Sequence, residues 1–391
     1  MARKQRHISG VNEIRSTPLS EPLLFTPLPL RGITLRNRAV LSPMCQYQAV
    51  DGRMQDWHFA HHARFAAGGL AAAFVEATGV TREGRITYGC TGIWEDGQIP
   101  GLKRVVEIYR AHGTVPGIQL AHAGRRASAV RPWDGAKPIE EKTGPEPAWE
   151  TVAPSALPER EGYPVPRELK LAEIEELIEA FAQAARRALA AGFDIVEVHG
   201  AHGYLTHSFF SPHSNRRGDG FGGSREKRMR FPRLVAEAVR AVWPQEKPVF
   251  YRASVTDNIE GGLPVEDSVA LAIALKARGI DVIDCSAGGM SGSVSLGTSK
   301  IRPGYQVDLA AAIRRGADIP TMAVGAIIEP RQAEAILQDG DADLVALGRQ
   351  MMAEPHWLYR AALELNLANP HAVLPRNYSF YLERRAAVLE R

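Results

Sequence analysis

Short apolar runs alternate with longer amphipathic stretches from residue 38 onward. Eight of these runs have the length and the content of β-branched side chains that are typical of buried strands. The helical period is clearest over Leu171–Ala191, where Ile174, Leu177, Phe181 and Leu189 recur on one face. This alternation predicts repeated β-α units that build a parallel sheet. The predicted strands cover residues 38–44, 71–80, 115–122, 193–200, 248–255, 281–287, 320–325 and 343–348.

Eight such strands predict an α/β fold, a single (β/α)8 TIM barrel. Four glycines, Gly192, Gly279, Gly316 and Gly340, each stand just before a predicted strand and are expected to end a helix. Residues 131–169, after the third strand, are rich in Pro, Gly and Glu and exceed an ordinary connection. We therefore expect an elaborated loop that forms a lid or a wall of the site.

The barrel is expected to occupy residues 23–369 as one domain. Residues 1–22 are polar and are interpreted as an N-terminal extension that is poorly ordered. Residues 370–391 carry Tyr378, Phe380, Tyr381 and Arg384, a content too aromatic for a free tail. We expect this C-terminal segment to pack on its own barrel or on a neighbouring subunit, which favours a homodimer or homotetramer.

Composition narrows the class of protein. The 391 residues carry a formal net charge of +3, so no nucleic-acid surface is indicated. The start lacks a secretory signal and no run approaches membrane-spanning length, so we expect a cytoplasmic protein without a membrane contact. The three cysteines, Cys45, Cys90 and Cys285, are far apart, which argues against a disulfide framework and a paired-cysteine zinc site.

The fourth predicted strand ends in the densest group of chemical side chains. His199, His202 and Tyr204 follow its apolar run within six residues. In barrels of parallel strands the residues past the carboxyl ends line the active site. Two imidazoles can grip an anionic or carbonyl oxygen, and a phenol holds a proton until a substrate needs it. The alternative is that an imidazole ties down the loop while the tyrosine packs.

Other strand ends are expected to converge on the same pocket. Cys45 and Tyr47 follow the first strand, where Cys45 is either a packed thiol or a functional one. The second ends in small residues that leave room for something flat and large. Gln119 and Arg126 belong to the third strand and its end. Arg252, inside the fifth strand, needs an anionic partner, which is either a bound anion or a carboxylate of the protein.

Glycines after the last strands indicate a phosphate site. Gly289, Gly325 with Ala326, and Gly348 with Arg349 follow the sixth, seventh and eighth strands. Backbone N–H groups can approach an anion there, and Arg349 supplies a countercharge. Residues 218–223 match the dinucleotide fingerprint G-x-G-x-x-G only in letters, because a polar run and not a strand precedes them.

Several of these segments together resemble the Old Yellow Enzyme family, and within it the thermophilic-like bacterial class of xenobiotic and enoate reductases. The resemblance covers roughly residues 23 to 385. It rests on SPMCQY at 42–47, EAT at 76–78, QLAHAGR at 119–125, HGAHGY at 199–204, FSPHSNR at 210–216, GGS at 222–224 and LGR at 347–349.

The resemblance implies a noncovalent FMN at the barrel mouth and NADPH or NADH as a transient hydride donor. It implies that the ring lies along Ser42, Pro43, Met44 and Cys45, above Ala77, with Gln119 and Arg252 at its pyrimidine side and the phosphate among Gly289, Gly325, Ala326, Gly348 and Arg349. Cys45 would then tune the redox potential, and Arg252 would face the negative charge of the reduced ring.

The implied reaction is that of an ene-reductase of the NADPH dehydrogenase type, acting on a small activated alkene or nitro compound. His199 and His202 would hold the carbonyl or nitro oxygen, and Tyr204 would protonate the α-carbon. Tyr47 and Arg126 would line the substrate pocket. Tyr381 and Arg384 resemble an aromatic residue and an arginine that some relatives insert into a neighbour's site.

One alternative enzyme class is a metal-dependent barrel hydrolase or aldolase with His199 and His202 as ligands, joined by Cys45 or Glu76. Against it, Arg252 would repel a cation, and no carboxylate cluster is evident at the strand ends. No metal is therefore expected. A binding module without catalysis is disfavoured, because so many polar groups point at one pocket.

Overall fold

Eight parallel strands close into a barrel in this computed structural model, which describes residues 21–140, 145–291 and 301–389. We number them in chain order. The barrel strands are β1 (Ala39–Leu41), β2 (Ala72–Gly79), β3 (Val115–Ala121), β4 (Ile195–Gly200), β5 (Val249–Ser254), β6 (Val282–Ser286), β7 (Thr321–Ala323) and β8 (Leu344–Leu347). Each pairs with the next, and β8 pairs with β1 in register Val345 to Ala39. All eight predicted strands and the predicted TIM barrel are confirmed.

Twelve helices lie within the described ranges, most of them around the barrel. They are α1 (Asp56–Ala66), α2 (Ile99–Ala111), α3 (Leu171–Ala191), α4 (Leu205–Phe210), α5 (Arg225–Arg228), α6 (Arg230–Val242), α7 (Val265–Lys276), α8 (Val307–Ala317), α9 (Pro330–Gln338), α10 (Arg349–Ala353), α11 (Trp357–Glu364) and α12 (Arg376–Leu389). The helix predicted over 171–191 is confirmed at both ends. In the described ranges, no helix combines the length and the apolarity needed to span a membrane.

The interior of the barrel is apolar at its lower end. Leu30 and Leu35, from the antiparallel pair Leu28–Leu30 and Ile33–Leu35, join one buried cluster with the inward side chains of the strands. Phe74, Ile195 and Phe250 belong to that cluster and lie below the polar residues of the same strands. The hairpin therefore closes the end of the barrel opposite the candidate site, as is usual for stability elements of this fold.

Three of the four predicted helix stops have the expected backbone. Gly192, Gly279 and Gly340 adopt left-handed φ values of 98°, 85° and 70° at or just past a helix end. The prediction for Gly316 is wrong, because this residue lies inside α8 and Asp318 takes the left-handed position with φ 49°. Aspartate tolerates the left-handed conformation better than most residues. The alanine-rich helix therefore continues past Gly316 and ends at Ala317.

Three predicted peripheral segments lie partly within the described residues: the N-terminal extension, the long loop after β3 and the C-terminal segment. Of the N-terminal extension, residues 1–20 lie outside them, as do residues 141–144 of the long loop after β3. The remainder of that loop contains a short parallel pair, Val152–Ala153 with Arg167–Glu168. The C-terminal segment forms α12, where Tyr378 contacts His356 of the same chain, with ring centroids 5.7 Å apart. This segment packs at its start on its own barrel.

Candidate active site

The loop after β4 brings three ring side chains together. His202 and Gly203 adopt left-handed φ values of 61° and 76°, and this turn precedes α4. The ring of His199 makes edge contacts with His202 and with Tyr204, with centroids 5.2 and 5.0 Å apart. A left-handed histidine is uncommon and costs free energy, which is typical of a functional turn held by its surroundings. The grouping expected from the sequence is therefore present.

A buried histidine–aspartate pair that the sequence did not reveal fixes this turn. The Gly203 N–H donates to Nδ1 of His207 over 2.9 Å, and Nε2 of His207 lies 2.9 Å from Oδ1 of Asp257. The His202 N–H donates to Oγ of Ser254 over 3.0 Å. Both side chains of the pair are fully buried. His207 lies one helical turn after Tyr204, and this spacing could have signalled its role.

His199 and His202 are neutral imidazoles. Burial, and then the charge of Arg252, hold the pKa of both well below the usual value for histidine. Nδ1 of His199 accepts the Ala201 N–H over 3.3 Å, so its proton lies on Nε2. Nε2 of His202 lies 2.7 Å from the hydroxyl of Ser286. Each ring therefore offers one N–H donor without carrying a charge.

Tyr204 is placed to keep a proton at neutral pH. Burial raises the pKa of its phenol, while the guanidinium of Arg126, 5.8 Å above the ring, acts in the opposite direction. Arg126 is held by an ion pair with Glu159 at 3.3 Å and by donation to the carbonyl of Gly289. The loop after β3 thus sets the electrostatics of the tyrosine.

A β-bulge in β2 places the neighbouring side chains of Glu76 and Ala77 on different sides of the strand. Val75 pairs with Ile118 and Ala77 with Gln119, so Glu76 is the extra residue. The bulge turns Ala77 to the same side as Gln119. Glu76 turns away, and its carboxylate accepts the hydroxyl of Thr91 over 2.8 Å and the N–H of Gln46, and lies 3.2 Å from Nε2 of His58.

Cys45 is half-buried near this carboxylate. Burial, and then Glu76, raise the pKa of its thiol well above the usual value. Tyr47, two residues later, has a left-handed φ of 53°. Burial raises the pKa of its phenol. Both groups therefore remain protonated, and Cys45 is a neutral thiol rather than a thiolate nucleophile.

The first of two adjoining cavities lies over the ends of β1 and β5 to β8 and has a volume of about 520 Å³. We call it the cofactor cavity. Eight of the residues expected to hold FMN line it, and His202 reaches it from the histidine turn; the eight are Ser42, Pro43, Met44, Arg252, Gly325, Ala326, Gly348 and Arg349. Ala326 has a left-handed φ of 51°, and a Cβ at Gly348 would lie 3.3 Å from Sδ of Met44.

These features fit a flat phosphorylated ring. Arg349 provides a cation at the glycine-rich end of the cofactor cavity, and Arg252 provides a second at its floor. The strained backbone at Ala326 and the close approach at Gly348 are typical of a cradle for a ligand. Gly289 does not line this cavity. Its Cα packs against His202 and its carbonyl accepts Arg126, so a Cβ there would come within 2.6 Å of the His202 backbone.

Arg252 has a carboxylate partner within the protein as well as a face on the cavity. Its Nε lies 3.3 Å from Oδ2 of Asp284, which is fully buried, and its Nη1 donates to Oγ of Ser42 over 3.2 Å. Gln119 lies beside this pair and donates to Oε1 of Glu197 over 2.8 Å. Glu197 and Asp284 lie one layer inside the barrel mouth, within β4 and β6 and not at the strand ends.

We call the second cavity, of about 550 Å³, the substrate cavity, after the ligand that the sequence predicts near these residues. Tyr47, Arg126 and Tyr204 line it. The loop after β3 supplies much of the rest, including Trp149 and Tyr163. This loop therefore forms a wall of the site. Tyr381 and Arg384 line neither cavity of the same chain. Tyr381 is 71% exposed, and the guanidinium of Arg384 lies over the ring of Phe380 at 4.2 Å.

Comparison with known proteins decides the family. Residues 23–368 match the family described as NADH:flavin oxidoreductase / NADH oxidase. The chain belongs to this family, the Old Yellow Enzyme family. An NADPH dehydrogenase of Geobacillus sp. (strain WCH70) is 45% identical over 347 residues, which cover 88% of this chain and 95% of that protein.

Solved structures agree with this Old Yellow Enzyme assignment. Morphinone reductase is 30% identical with a TM-score of 0.73, covering 89% of this chain and 91% of its own. The Old Yellow Enzyme homologue from Zymomonas mobilis is 26% identical with a TM-score of 0.71, covering 88% and 93%. The protein is thus an NAD(P)H-dependent flavin oxidoreductase whose cofactor is FMN.

The metal alternative finds no ligand set in the described ranges, where no three His, Cys, Asp or Glu side chains are grouped to hold an ion. The glycines at 218–223 lie in a turn between α4 and α5, not between a strand and a helix. Asn215, just before them, donates to the carbonyls of Phe209 and Phe221 over 2.6 and 2.7 Å. This motif therefore shapes a loop.

Proposed function

We propose that this enzyme reduces alkenes conjugated to a carbonyl or nitro group, with Tyr204 as the proton donor. The observation that carries the proposal is the position of the histidine turn between the two cavities. His202 lines the cofactor cavity, Tyr204 lines the substrate cavity, and His199 touches both rings. A substrate held by both imidazoles would therefore lie within reach of a cofactor on one side and a phenol on the other.

In this proposal the cofactor cavity holds FMN without a covalent bond. Ser42, Pro43 and Met44 would lie along the ring, with Ala77 and Gln119 below it, Arg252 at its pyrimidine side, and Gly325, Ala326, Gly348 and Arg349 around the phosphate. FMN supplies a two-electron carrier that accepts hydride from NADPH or NADH and delivers it to the β-carbon of the alkene.

The imidazoles act on the substrate oxygen. Nε2–H of His199 donates to it, and Nδ1–H of His202 does so in the tautomer in which the hydroxyl of Ser286 donates to Nε2 of that ring and not to Oε1 of Gln306. Neutral donors that point at developing negative charge stabilise the transition state, and each is worth about 2.7 to 4 kcal/mol in comparable oxyanion sites. Because both rings are neutral, they bind the oxygen without protonating it.

Tyr204 completes the reaction by passing its phenolic proton to the α-carbon. Its raised pKa keeps the proton available at neutral pH, and Arg126 stabilises the phenolate that remains. Cys45 would tune the cofactor as a neutral thiol, and Tyr47 and Arg126 would position the substrate.

The exposed Tyr381 and Arg384 are proposed to reach the substrate cavity of a neighbouring subunit in a homodimer or homotetramer. The exposure of Tyr381 and its absence from the cavities of its own chain support this assignment.

The deciding experiment separates the two half-reactions of Tyr204→Phe by stopped-flow absorbance. Reduction of the flavin by NADPH should keep its rate, because the phenol donates no proton there. Reoxidation by a cyclic enone should slow by about 10²- to 10⁴-fold, the usual contribution of a general acid. Tyr163→Phe, in the wall of the same cavity, is the matched control and should change neither step strongly. Equal losses in both half-reactions would overturn the proton-donor role.

A further inference from the structure

Four polar side chains form a buried layer beneath the cofactor cavity. Gln119, Glu197, Arg252 and Asp284 come from the consecutive strands β3, β4, β5 and β6. Gln119 pairs in register with Glu197, and Arg252 with Asp284. Glu197 and Asp284 are 0% exposed and Arg252 is 7% exposed. The apolar cluster of the barrel interior lies below this layer, so Arg252 is its contact with the cavity.

The charges of this layer do not balance when both acids are ionised. Arg252 is the cation, and it pairs with Asp284 at 3.3 Å. Glu197 receives one neutral hydrogen bond, from Gln119, and its Oε2 has no hydrogen-bond partner among the described residues. A buried carboxylate that lacks a counterion is expensive and is usually relieved by binding a proton. The geometry therefore favours one proton on this pair of acids.

Each neighbouring strand presents one polar or charged group near Glu197. β3 presents the neutral amide of Gln119, β5 the guanidinium of Arg252 and β6 the carboxylate of Asp284, while the neutral ring of His199 lies above on β4 itself. Burial, and then Asp284, raise the pKa of Glu197 to about 8, and Arg252 acts against them. Burial also raises the pKa of Asp284.

We propose that in alkaline solution, where its carboxylate is ionised in the oxidised enzyme, Glu197 binds a proton from water when FMN is reduced, and so compensates the negative charge that arrives next to Arg252. The inference rests on the cofactor placement proposed above. NAD(P)H gives its hydride to FMN and leaves as NAD(P)⁺, and the reduced cofactor gains one negative charge. The carboxylate of Glu197 takes one proton from solvent and becomes a neutral acid. Two electrons and two protons, one in the hydride and one on Glu197, are then stored at the site.

The sign of the effect follows from the charges. Added negative charge near Arg252 raises the proton affinity of Glu197. Below a pH of about 8 the acid is already protonated in the oxidised enzyme, so reduction takes up no additional proton. Above that pH the oxidised enzyme has lost the proton and regains it on reduction. Glu197 is therefore a positioning residue that acts through its charge. Its protonation lowers the free energy needed to reduce the cofactor in alkaline solution.

The test measures the midpoint potential of the bound FMN against pH by spectroelectrochemistry of the holoenzyme. In the wild type the slope should correspond to one proton per two electrons at neutral pH and should steepen to two protons per two electrons above about pH 8. In Glu197→Gln the shallow slope should persist throughout, because the amide does not titrate. A wild-type slope without a break, or the same break in Glu197→Gln, would overturn the inference.

Two further variants act as matched comparisons. Asp284→Asn removes the like charge that raises the proton affinity of Glu197, so its break should move to lower pH. Glu76→Gln changes another buried carboxylate, on β2, that pairs with His58 and not with Arg252, and its break should stay in place. A break that moves equally in both variants would contradict a specific role of Glu197.

Infrared difference spectra of the wild type test the same inference without a variant. Reduction above about pH 8 should add the C=O stretch of a protonated carboxylic acid, and its absence would count against Glu197. The cofactor placement is tested separately by Arg252→Leu, which should lower the midpoint potential. An unchanged potential in that variant would refute the placement, whereas a lowered potential with no break in the wild type would refute the role of Glu197 alone.

Discussion

Two pairs of buried histidines near the barrel mouth differ in their partners. His58 and His207 each lie against a carboxylate, Glu76 at 3.2 Å and Asp257 at 2.9 Å. In contrast, His199 has the N–H of Ala201 and His202 the hydroxyl of Ser286 as partners. The first pair is fully buried away from both cavities, and the second pair stands beside them.

The comparison shows that, in this protein, an imidazole that lies close to an acid need not belong to the candidate site. A carboxylate partner ties a histidine into the scaffold, because breaking a buried pair leaves an uncompensated group. A neutral partner instead fixes one ring nitrogen and leaves the other free to donate. Burial keeps His199 and His202 uncharged, which suits their proposed role of binding an oxygen that becomes negative during the reaction.

The largest expected effect concerns the scaffold pair. Asp257→Ala removes the acceptor of His207, of the Ser211 hydroxyl and of the Leu263 N–H. We expect the free energy of unfolding to fall by about 3 kcal/mol, as for other buried pairs that lose one member. Urea denaturation measures it, with Glu179→Ala at the exposed ion pair with Arg186 as a control that should change little. A loss no larger than in the control would erase the distinction between the two kinds of histidine.

A smaller effect is expected from the site pair, and on binding rather than on folding. His199→Ala and His202→Ala should each weaken a phenolic ligand about tenfold, since a hydrogen bond to a charged oxygen contributes about 1.5 to 3 kcal/mol. Titration of the flavin absorption spectrum measures the affinity. His58→Ala is the comparison variant, and it should lose stability while retaining most of the affinity. Equal affinity losses in the three variants would contradict the division.

The smallest effect is expected from the neutral partner. Ser286→Ala leaves Nε2 of His202 without the hydroxyl and allows the ring proton to move to that nitrogen. Phenol binding should weaken roughly fivefold, which corresponds to about 1 kcal/mol for one hydrogen bond. The control is Ser268→Ala. Ser268 is a buried serine in α7 that donates to the carbonyl of Val255, and this variant should bind the phenol with unchanged affinity. If both variants bind equally well, Ser286 does not orient the imidazole.

Much of the fold could be predicted from the sequence because buried parallel strands appear in it as short, nearly continuous apolar runs. Each apolar run became a strand, and the glycines at 192, 279 and 340 marked helix ends that require left-handed backbone. The failure at Gly316 has a local cause. A glycine is tolerated inside a helix, and the residue that takes the left-handed position, Asp318, carries a weaker signal.

The candidate site was predictable where one segment carried several groups, and less so where strands meet. His199, His202 and Tyr204 lie within one turn and were found together. The partner of Arg252 is an acid on another strand, and its identity depends on the register between β5 and β6. Glu197 and Asp284 did carry a signal, because each is an acid within an apolar run. A buried acid needs a partner for the same reason as the buried Arg252, so the sequence also marks these two residues.

The bulge at Glu76 shows that the placement of two side chains depends on an irregularity of the sheet. Because side chains alternate along a strand, a strand of the same length that paired regularly with β3 would exchange the positions of Glu76 and Ala77. A carboxylate would then face the proposed position of the cofactor in place of a methyl group, and His58 would lose its acid. The backbone irregularity therefore belongs to the candidate site as much as the side chains that it orients.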